Sequence, residues 1–197
     1  MKKTTVMFGL VILTIGAQAA MCGGASVGLS AGLNIATINE SDYDYDSRLG
    51  GYFGGFVEQP ITPIFSIQPE LMFTMKGAKT AESDMDITFK LNYWEIPVLL
   101  RANIPTDVGI DPFLVAGPSI AFNVTSKMES DSEEEVIPDI KGTDFGLIFG
   151  GGVGFPVGDY VMSVVARYEM GLTSFDDSED EFDVKNNVIS VGAAFTF

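Results

Sequence analysis

A strict alternation of side-chain type, with a period of two residues, runs through most of this chain. Large apolar side chains occupy every other position, and glycine, small polar or charged residues lie between them. Successive side chains of a β-strand point to opposite faces, so the alternation predicts strands with one apolar face. The predicted strands are 27–35, 65–75, 94–102, 114–124, 145–155, 162–172 and 189–197. An eighth is predicted at 49–59, where several glycines make its two faces less distinct.

The polar face of these strands is unusually small and rich in glycine. A soluble β-sandwich also alternates, but its polar face is solvated and usually carries lysine, glutamate and threonine. Small residues suit the crowded interior of a narrow barrel whose apolar face points outwards. Each segment has about 9–14 residues, which is enough for a tilted strand to cross a bilayer.

The connections between the predicted strands alternate in length. Those at 60–63, 105–109 and 158–159 are short, and those at 38–48, 77–86, 126–143 and 173–187 are long. Outer-membrane barrels have short periplasmic turns and long extracellular loops in this order. The long connections also hold most of the 27 acidic residues. We therefore predict an all-β fold, an eight-stranded antiparallel transmembrane β-barrel of the outer-membrane type.

The N-terminus has the order of a secretory signal peptide. Lys2 and Lys3 precede an apolar run at 6–15, and Ala17 and Ala19 follow where a signal peptidase requires small side chains. The run is shorter than the roughly 18 residues that span a bilayer as a helix. We expect residues 1–19 to be cleaved, residues 24–197 to form the barrel, and the chain to be exported through the periplasm.

Cys22 is the single cysteine of the chain, so it cannot form an internal disulfide. Its place just after the apolar run raises the alternative of lipoprotein acylation. The preceding residues Ala19, Ala20 and Met21 match the lipoprotein pattern poorly. Whether Cys22 is acylated or removed stays open at this point.

The chain ends in a pattern of polar residue, glycine and two spaced aromatic residues. These are Ser190, Gly192, Phe195 and Phe197. The pattern resembles the terminal-strand signal that the outer-membrane barrel assembly machinery reads. We therefore expect that machinery to be a partner during biogenesis.

Several motifs resemble the PorT-like outer membrane protein beta-barrel domain family of small "porin family" barrels. In that family a strand reading Tyr-x-Glu-Ile-Pro is followed by an Ala-Gly-Pro strand and later by an Ala-Arg-Tyr strand. The matching segments here are 91–101, 112–118 and 166–173, together with the glycine-rich segment 150–154. The resemblance covers essentially the whole chain after the signal peptide. It implies an integral outer-membrane barrel and implies little about function.

Five charged residues fall on the predicted inward face. They are Glu70, Glu95, Arg101, Arg167 and Glu169. Eight strands leave an interior that side chains just fill, and buried charges are costly unless they pair. We expect an internal salt-bridge cluster that plugs the lumen. The alternative is an ion path lined by the same groups.

Two classes of function conflict with the composition. The chain has no histidine, the usual general acid–base group near neutral pH, so we expect no catalytic residue and no enzymatic activity. Its formal net charge is −16, which repels nucleic-acid phosphates. Nucleic acid is therefore not an expected partner.

The acidic connections suggest where partners could bind. Asp42, Asp44 and Asp46 resemble the start of a calcium loop, but the glycine and distal glutamate of such a loop are missing. Runs at 133–135 and 176–183 are denser in acids, and runs of like charge are usually solvated and mutually repelling. The alternative is Ca²⁺ bridging, within the loops or to lipopolysaccharide phosphates. No other cofactor is indicated.

Two functions remain after these exclusions. The first is a non-enzymatic barrel that anchors acidic extracellular loops for structural, adhesion or partner-interaction roles. The second is a narrow porin-like channel for ions or small solutes. Outer-membrane lipid and lipopolysaccharide are expected neighbours in both cases, and no extracellular or periplasmic protein partner is identified.

Overall fold

The computed structural model describes residues 24–39, 46–82, 85–130, 133–136, 142–173 and 185–197. The predictions of a signal peptide and of a fate for Cys22 lie outside these residues. The described part of the chain is almost entirely β-structure. Its strands are β1 Ser26–Asn39, β2 Asp46–Pro60, β3 Phe65–Lys76, β4 Ala78–Glu82, β5 Met85–Asn103, β6 Asp111–Ser130, β7 Glu133–Val136, β8 Thr143–Val157, β9 Tyr160–Gly171 and β10 Lys185–Thr196.

Eight of these strands close into a ring. The order around it is β1, β2, β3, β5, β6, β8, β9 and β10, and β10 pairs with β1 to complete the barrel. Every pairing is antiparallel. Closure leaves no strand of the ring with an unpaired edge. The prediction of an eight-stranded antiparallel barrel is confirmed.

Two of the predicted long connections contain additional strands, which corrects the sequence analysis. β4 pairs with the first residues of β5, and β7 pairs with the last residues of β6. β5 and β6, of 19 and 20 residues, therefore continue beyond the ring. Residues 85–93 of β5 still alternate, but their apolar residues lie at odd positions, whereas those of the predicted segment 94–102 lie at even positions. Leu91 and Tyr93 accordingly point into the barrel, where both are buried. Gly77 separates β3 from β4 with a φ of 129°, a conformation that glycine adopts readily.

The two faces of the barrel strands follow the predicted alternation. On β5 the side chain of Tyr93 is fully buried, whereas Val98 and Leu100 are about half exposed on the other face. The same holds on β3, where residues at even positions are buried. The exposed apolar side chains surround the barrel, as expected for a surface in contact with lipid. No helix of the described ranges is long and apolar enough to cross a membrane.

Glycines of the inner wall make room for large side chains that lie over the neighbouring strands. The ring of Tyr52 lies over Gly32 and Gly192, and the ring of Phe113 lies over Gly152. A Cβ atom added to Gly32 would be 2.6 Å from Tyr52 Cε1, and one added to Gly152 would be 2.6 Å from Phe113 Cζ. A Cβ at either position would force the aromatic ring to shift. The glycine-rich face therefore fits against aromatic rings inside the barrel.

Candidate functional site in the barrel lumen

A buried ion pair crosses the middle of the lumen. Arg167 Nη1 on β9 donates to Glu70 Oε2 on β3 at 2.6 Å, and Arg167 Nη2 donates to Glu70 Oε1 at 2.9 Å. β3 and β9 are four strands apart in the ring, so they form opposite walls. Gln68 Nε2 adds a third hydrogen bond to Glu70 Oε1, at 2.6 Å. This paired geometry is the strongest that an arginine and a carboxylate make.

A second group lies closer to the end of the barrel that carries the long connections. Lys76 Nζ is 2.6 Å from Glu169 Oε1 and 3.2 Å from Glu95 Oε2, and its side chain is completely buried. The ammonium group also lies 5.6 Å from the centre of the Tyr93 ring. We call Lys76, Glu95 and Glu169 the lysine group. It again joins opposite walls, because Lys76 is on β3 and Glu169 on β9.

Arg101 lies in a different place, near the short turns. Its Nε donates to Asn103 Oδ1 at 2.8 Å and is 3.5 Å from Glu58 Oε1. Its guanidinium carbon is 3.6 Å from the centre of the Phe113 ring, a cation–π contact. Arg101 Nη1 also reaches Gln68 Oε1 at 3.4 Å, so Gln68 links Arg101 to Glu70.

The five charged residues predicted to face the lumen all lie inside the barrel, in three groups at different heights. Sequence reasoning missed their partners Lys76 and Glu58. Lys76 occupies the next inward-facing position of β3, but it lies one residue beyond the predicted segment 65–75. Glu58 lies on the strand whose faces are blurred by glycines. One more inward-facing position on β3 would have identified Lys76, and the inward-facing positions of Tyr52 and Phe56 on β2 lead to Glu58.

Neutral polar side chains and a small cavity fill the space beside these groups. Asn34 Nδ2 donates to Thr74 Oγ1 at 2.8 Å, and Ser190 Oγ donates to Asn34 Oδ1 at 2.8 Å. The cavity has a volume of about 30 Å³ and is bordered by Arg167 and Glu95, among others. It can hold one or two water molecules. Side chains therefore take up most of the space that borders the cavity.

The residues predicted as an assembly signal lie at the junction of the first and last strands. Gly192 pairs with Gly32, and Ser190 binds Asn34 inside the barrel. Phe195 stacks on Tyr160 with ring centres 5.3 Å apart. Its ring centre is also 5.1 Å from that of Phe197. Phe197 N donates to Val27 O at 2.8 Å, which ties the last residue to β1.

Two of the three candidate calcium ligands lie outside the residues that the structure describes. Asp42 and Asp44 lie outside the described part of the chain, and Asp46 is the first residue of β2. Within the described ranges, no group of three histidine, cysteine, aspartate or glutamate side chains is arranged to hold a metal ion.

Comparisons with known proteins agree with this architecture. A family model described as "Outer membrane protein beta-barrel domain" matches residues 17–177. Neisserial surface protein A is similar in structure, with a TM-score of 0.56 and 19% identity over 88% of this chain and 99% of that one. A major outer membrane protein of Thermus thermophilus has a TM-score of 0.55 and 12% identity, over 88% and 100%. No curated protein sequence matches significantly. The chain belongs to the outer membrane protein beta-barrel domain family and is an integral β-barrel of the bacterial outer membrane.

Proposed function

We propose that this protein is a closed, non-enzymatic membrane anchor that holds acidic segments at the cell surface. The observation that carries the proposal is the Glu70–Arg167 pair, which spans the lumen from wall to wall. A permeating ion would have to separate this pair or pass beside it. Separating it would leave buried charges without partners, which typically costs several kcal/mol.

The lysine group supports the same conclusion at a second height. Lys76 contacts Glu95 and Glu169 at once, so three charged side chains converge on one point of the lumen. An eight-stranded barrel has little space that side chains do not fill. The Glu70–Arg167 pair and the lysine group each close the lumen, at different heights. A narrow channel is therefore the less favoured alternative.

The acidic connections are the part of the molecule that we propose to act outside the cell. In this family of folds the long connections lie at the extracellular end. Their carboxylates repel lipopolysaccharide phosphates unless divalent cations lie between them. We propose that they act through structural, adhesive or partner contacts, with Ca²⁺ bridging to lipopolysaccharide as one form of such contact. Carboxylates that do not form a preorganised site bind Ca²⁺ weakly, with a Kd of about 10⁻⁴–10⁻³ M.

The absence of histidine from the sequence supports a role without catalysis. The buried carboxylates Glu70, Glu95 and Glu169 are engaged with cations inside the barrel. Within the family, the motifs at 91–101 and 166–173 support a place in the PorT-like group, which we also propose.

Conductance of the purified barrel in planar bilayers tests the closed lumen. We expect no steady conductance from the wild-type protein and a measurable one from the triple variant Glu70→Ala, Lys76→Ala and Arg167→Ala, which removes both closures. A steady wild-type conductance would favour the narrow channel instead. Asp107→Ala is the matched control, because it removes a carboxylate from an exposed turn without altering the lumen.

A further inference from the structure

Two residues that line the small cavity beside the Glu70–Arg167 pair each carry a buried polar atom with no hydrogen-bond partner among the described residues. These atoms are Arg167 Nε and Glu95 Oε1. Arg167 uses Nη1 and Nη2 to bind Glu70, and Glu95 uses Oε2 to contact Lys76. Glu95 is only 4% exposed, so bulk water does not reach it. Buried polar atoms are nearly always hydrogen-bonded, because leaving one unpaired is costly.

We propose that the cavity binds an ordered water molecule that accepts a hydrogen bond from Arg167 Nε and donates one to Glu95 Oε1. The inference rests on the closed lumen proposed above and identifies what occupies its remaining space. Both residues border the cavity. The bound water joins the Glu70–Arg167 pair to the lysine group, so the two closures form one hydrogen-bonded network.

The size and the lining of the cavity fit water better than an ion. Its volume of about 30 Å³ exceeds the roughly 10–15 Å³ that one water needs. Tyr52 and Thr74, which carry hydroxyl groups able to bind water, line the same cavity. A cation in this position would face the guanidinium of Arg167, and an anion would face the carboxylate of Glu95.

Solution NMR of the full barrel in lipid nanodiscs tests the site, because the Nε–H group of arginine gives its own resonance. We expect cross-relaxation between Arg167 Hε and a long-lived water in the wild-type protein. Arg101 Hε is the internal reference, since its nitrogen donates to Asn103 Oδ1. Ile148→Phe places a larger side chain at the border of the cavity and should abolish the contact. The neighbouring lipid-facing residue gives the matched control, Leu147→Phe, which should retain it.

The possible results distinguish a failure of the proposed water site from a failure of the proposed closed lumen. Absence of a water contact at Arg167 Hε in the folded wild type, or a contact unchanged by Ile148→Phe, would overturn the site. Contacts at both Arg167 and Arg101, together with steady conductance, would overturn the site and the closed lumen. If Ile148→Phe does not fold, a high-resolution crystal structure of the wild type decides. Density within hydrogen-bond distance of Arg167 Nε and Glu95 Oε1 supports the site, and a direct bond between the two overturns it.

Discussion

Arg167 and Glu70 are on opposite walls of the barrel, yet two hydrogen bonds of 2.6 and 2.9 Å join them. Neither side chain has room to turn towards bulk water, because both are at least nine-tenths buried. The pair therefore holds two walls that share no backbone hydrogen bond. Its removal should affect the stability of the whole ring.

We expect Arg167→Ala to reduce the free energy of unfolding by about 3–5 kcal/mol, because it leaves Glu70 charged, buried and unpaired. Urea unfolding in lipid vesicles, followed by tryptophan fluorescence, measures the change. Asp107→Ala is the control. It removes a charge from an exposed turn and should change stability by less than about 0.5 kcal/mol. Replacing Glu70 and Arg167 together by methionine should recover part of the loss. A mild effect of Arg167→Ala combined with steady conductance would indicate a water-filled lumen.

Trp94 provides a direct test of which face meets lipid. It is the only tryptophan, it lies on the outward face of β5, and its ring contacts Phe73 edge-on at 5.3 Å. Phospholipids with brominated acyl chains should quench its fluorescence strongly, whereas aqueous iodide should not. Urea-unfolded protein, in which iodide does quench, is the control. Quenching by iodide in the folded barrel would place Trp94 in an aqueous lumen and contradict the fold.

A charge on the lipid-facing surface should be costly in proportion to its depth. Val164 lies in the middle of β9, and Val157 lies at the end of β8 beside a short turn. Both are exposed by just over half. Val164→Arg should cost about 2–4 kcal/mol and Val157→Arg at most about 1 kcal/mol, because arginine reaches the interface from the second position. Equal costs in vesicle-based unfolding would argue against a membrane-spanning β9.

Deleting Phe197 separates a role in assembly from a role in stability. If Phe197 is read by the assembly machinery, the deletion should leave export to the periplasm intact and greatly reduce insertion into the outer membrane. Heat-modifiable migration of the membrane fraction measures insertion. The purified variant should still refold in detergent, since the aromatic pair of Tyr160 and Phe195 remains. Wild-type levels of heat-modifiable protein in cells would contradict the assembly role.

Two glycines on opposite faces of the barrel wall should respond differently to alanine. A Cβ at Gly152 would be 2.4 Å from Val164 O and 2.6 Å from Phe113 Cζ, whereas a Cβ at Gly51 would meet nothing nearer than 3.4 Å. We expect Gly152→Ala to destabilise by about 1–3 kcal/mol, as overpacking does. Gly51→Ala should be close to neutral. Equal unfolding free energies for the two variants would mean that the inner wall can adjust.

The strands and their faces were predictable from the alternation of residue types. Lipid outside the barrel favours large apolar side chains, and the packed interior favours small or polar ones at the positions between. The strand extensions in β5 and β6, with β4 and β7, were not predicted. In 85–93 the apolar residues change to the opposite parity from 94–102, and 126–136 has no apolar period. The inward direction of Glu70 and Arg167 was predictable from parity. Their pairing was not, because it depends on the relative heights of opposite strands. Those heights also explain why Arg101 pairs with Glu58 instead of joining the other four charges.

The position of Tyr52 over Gly32 and Gly192 has a consequence for how the ring is completed. These glycines pair across β1 and β10, the strands from opposite ends of the chain. A slip of one residue would turn every side chain of β10 to the wrong face. A slip of two would bring Ser190 or Ala194 beneath the phenol, where a Cβ at the position of Gly192 lies only 2.4 Å from the Tyr52 hydroxyl. The Tyr52 ring therefore fits best when Gly192 lies beneath it. This disfavours a shifted register between β1 and β10 when the barrel closes.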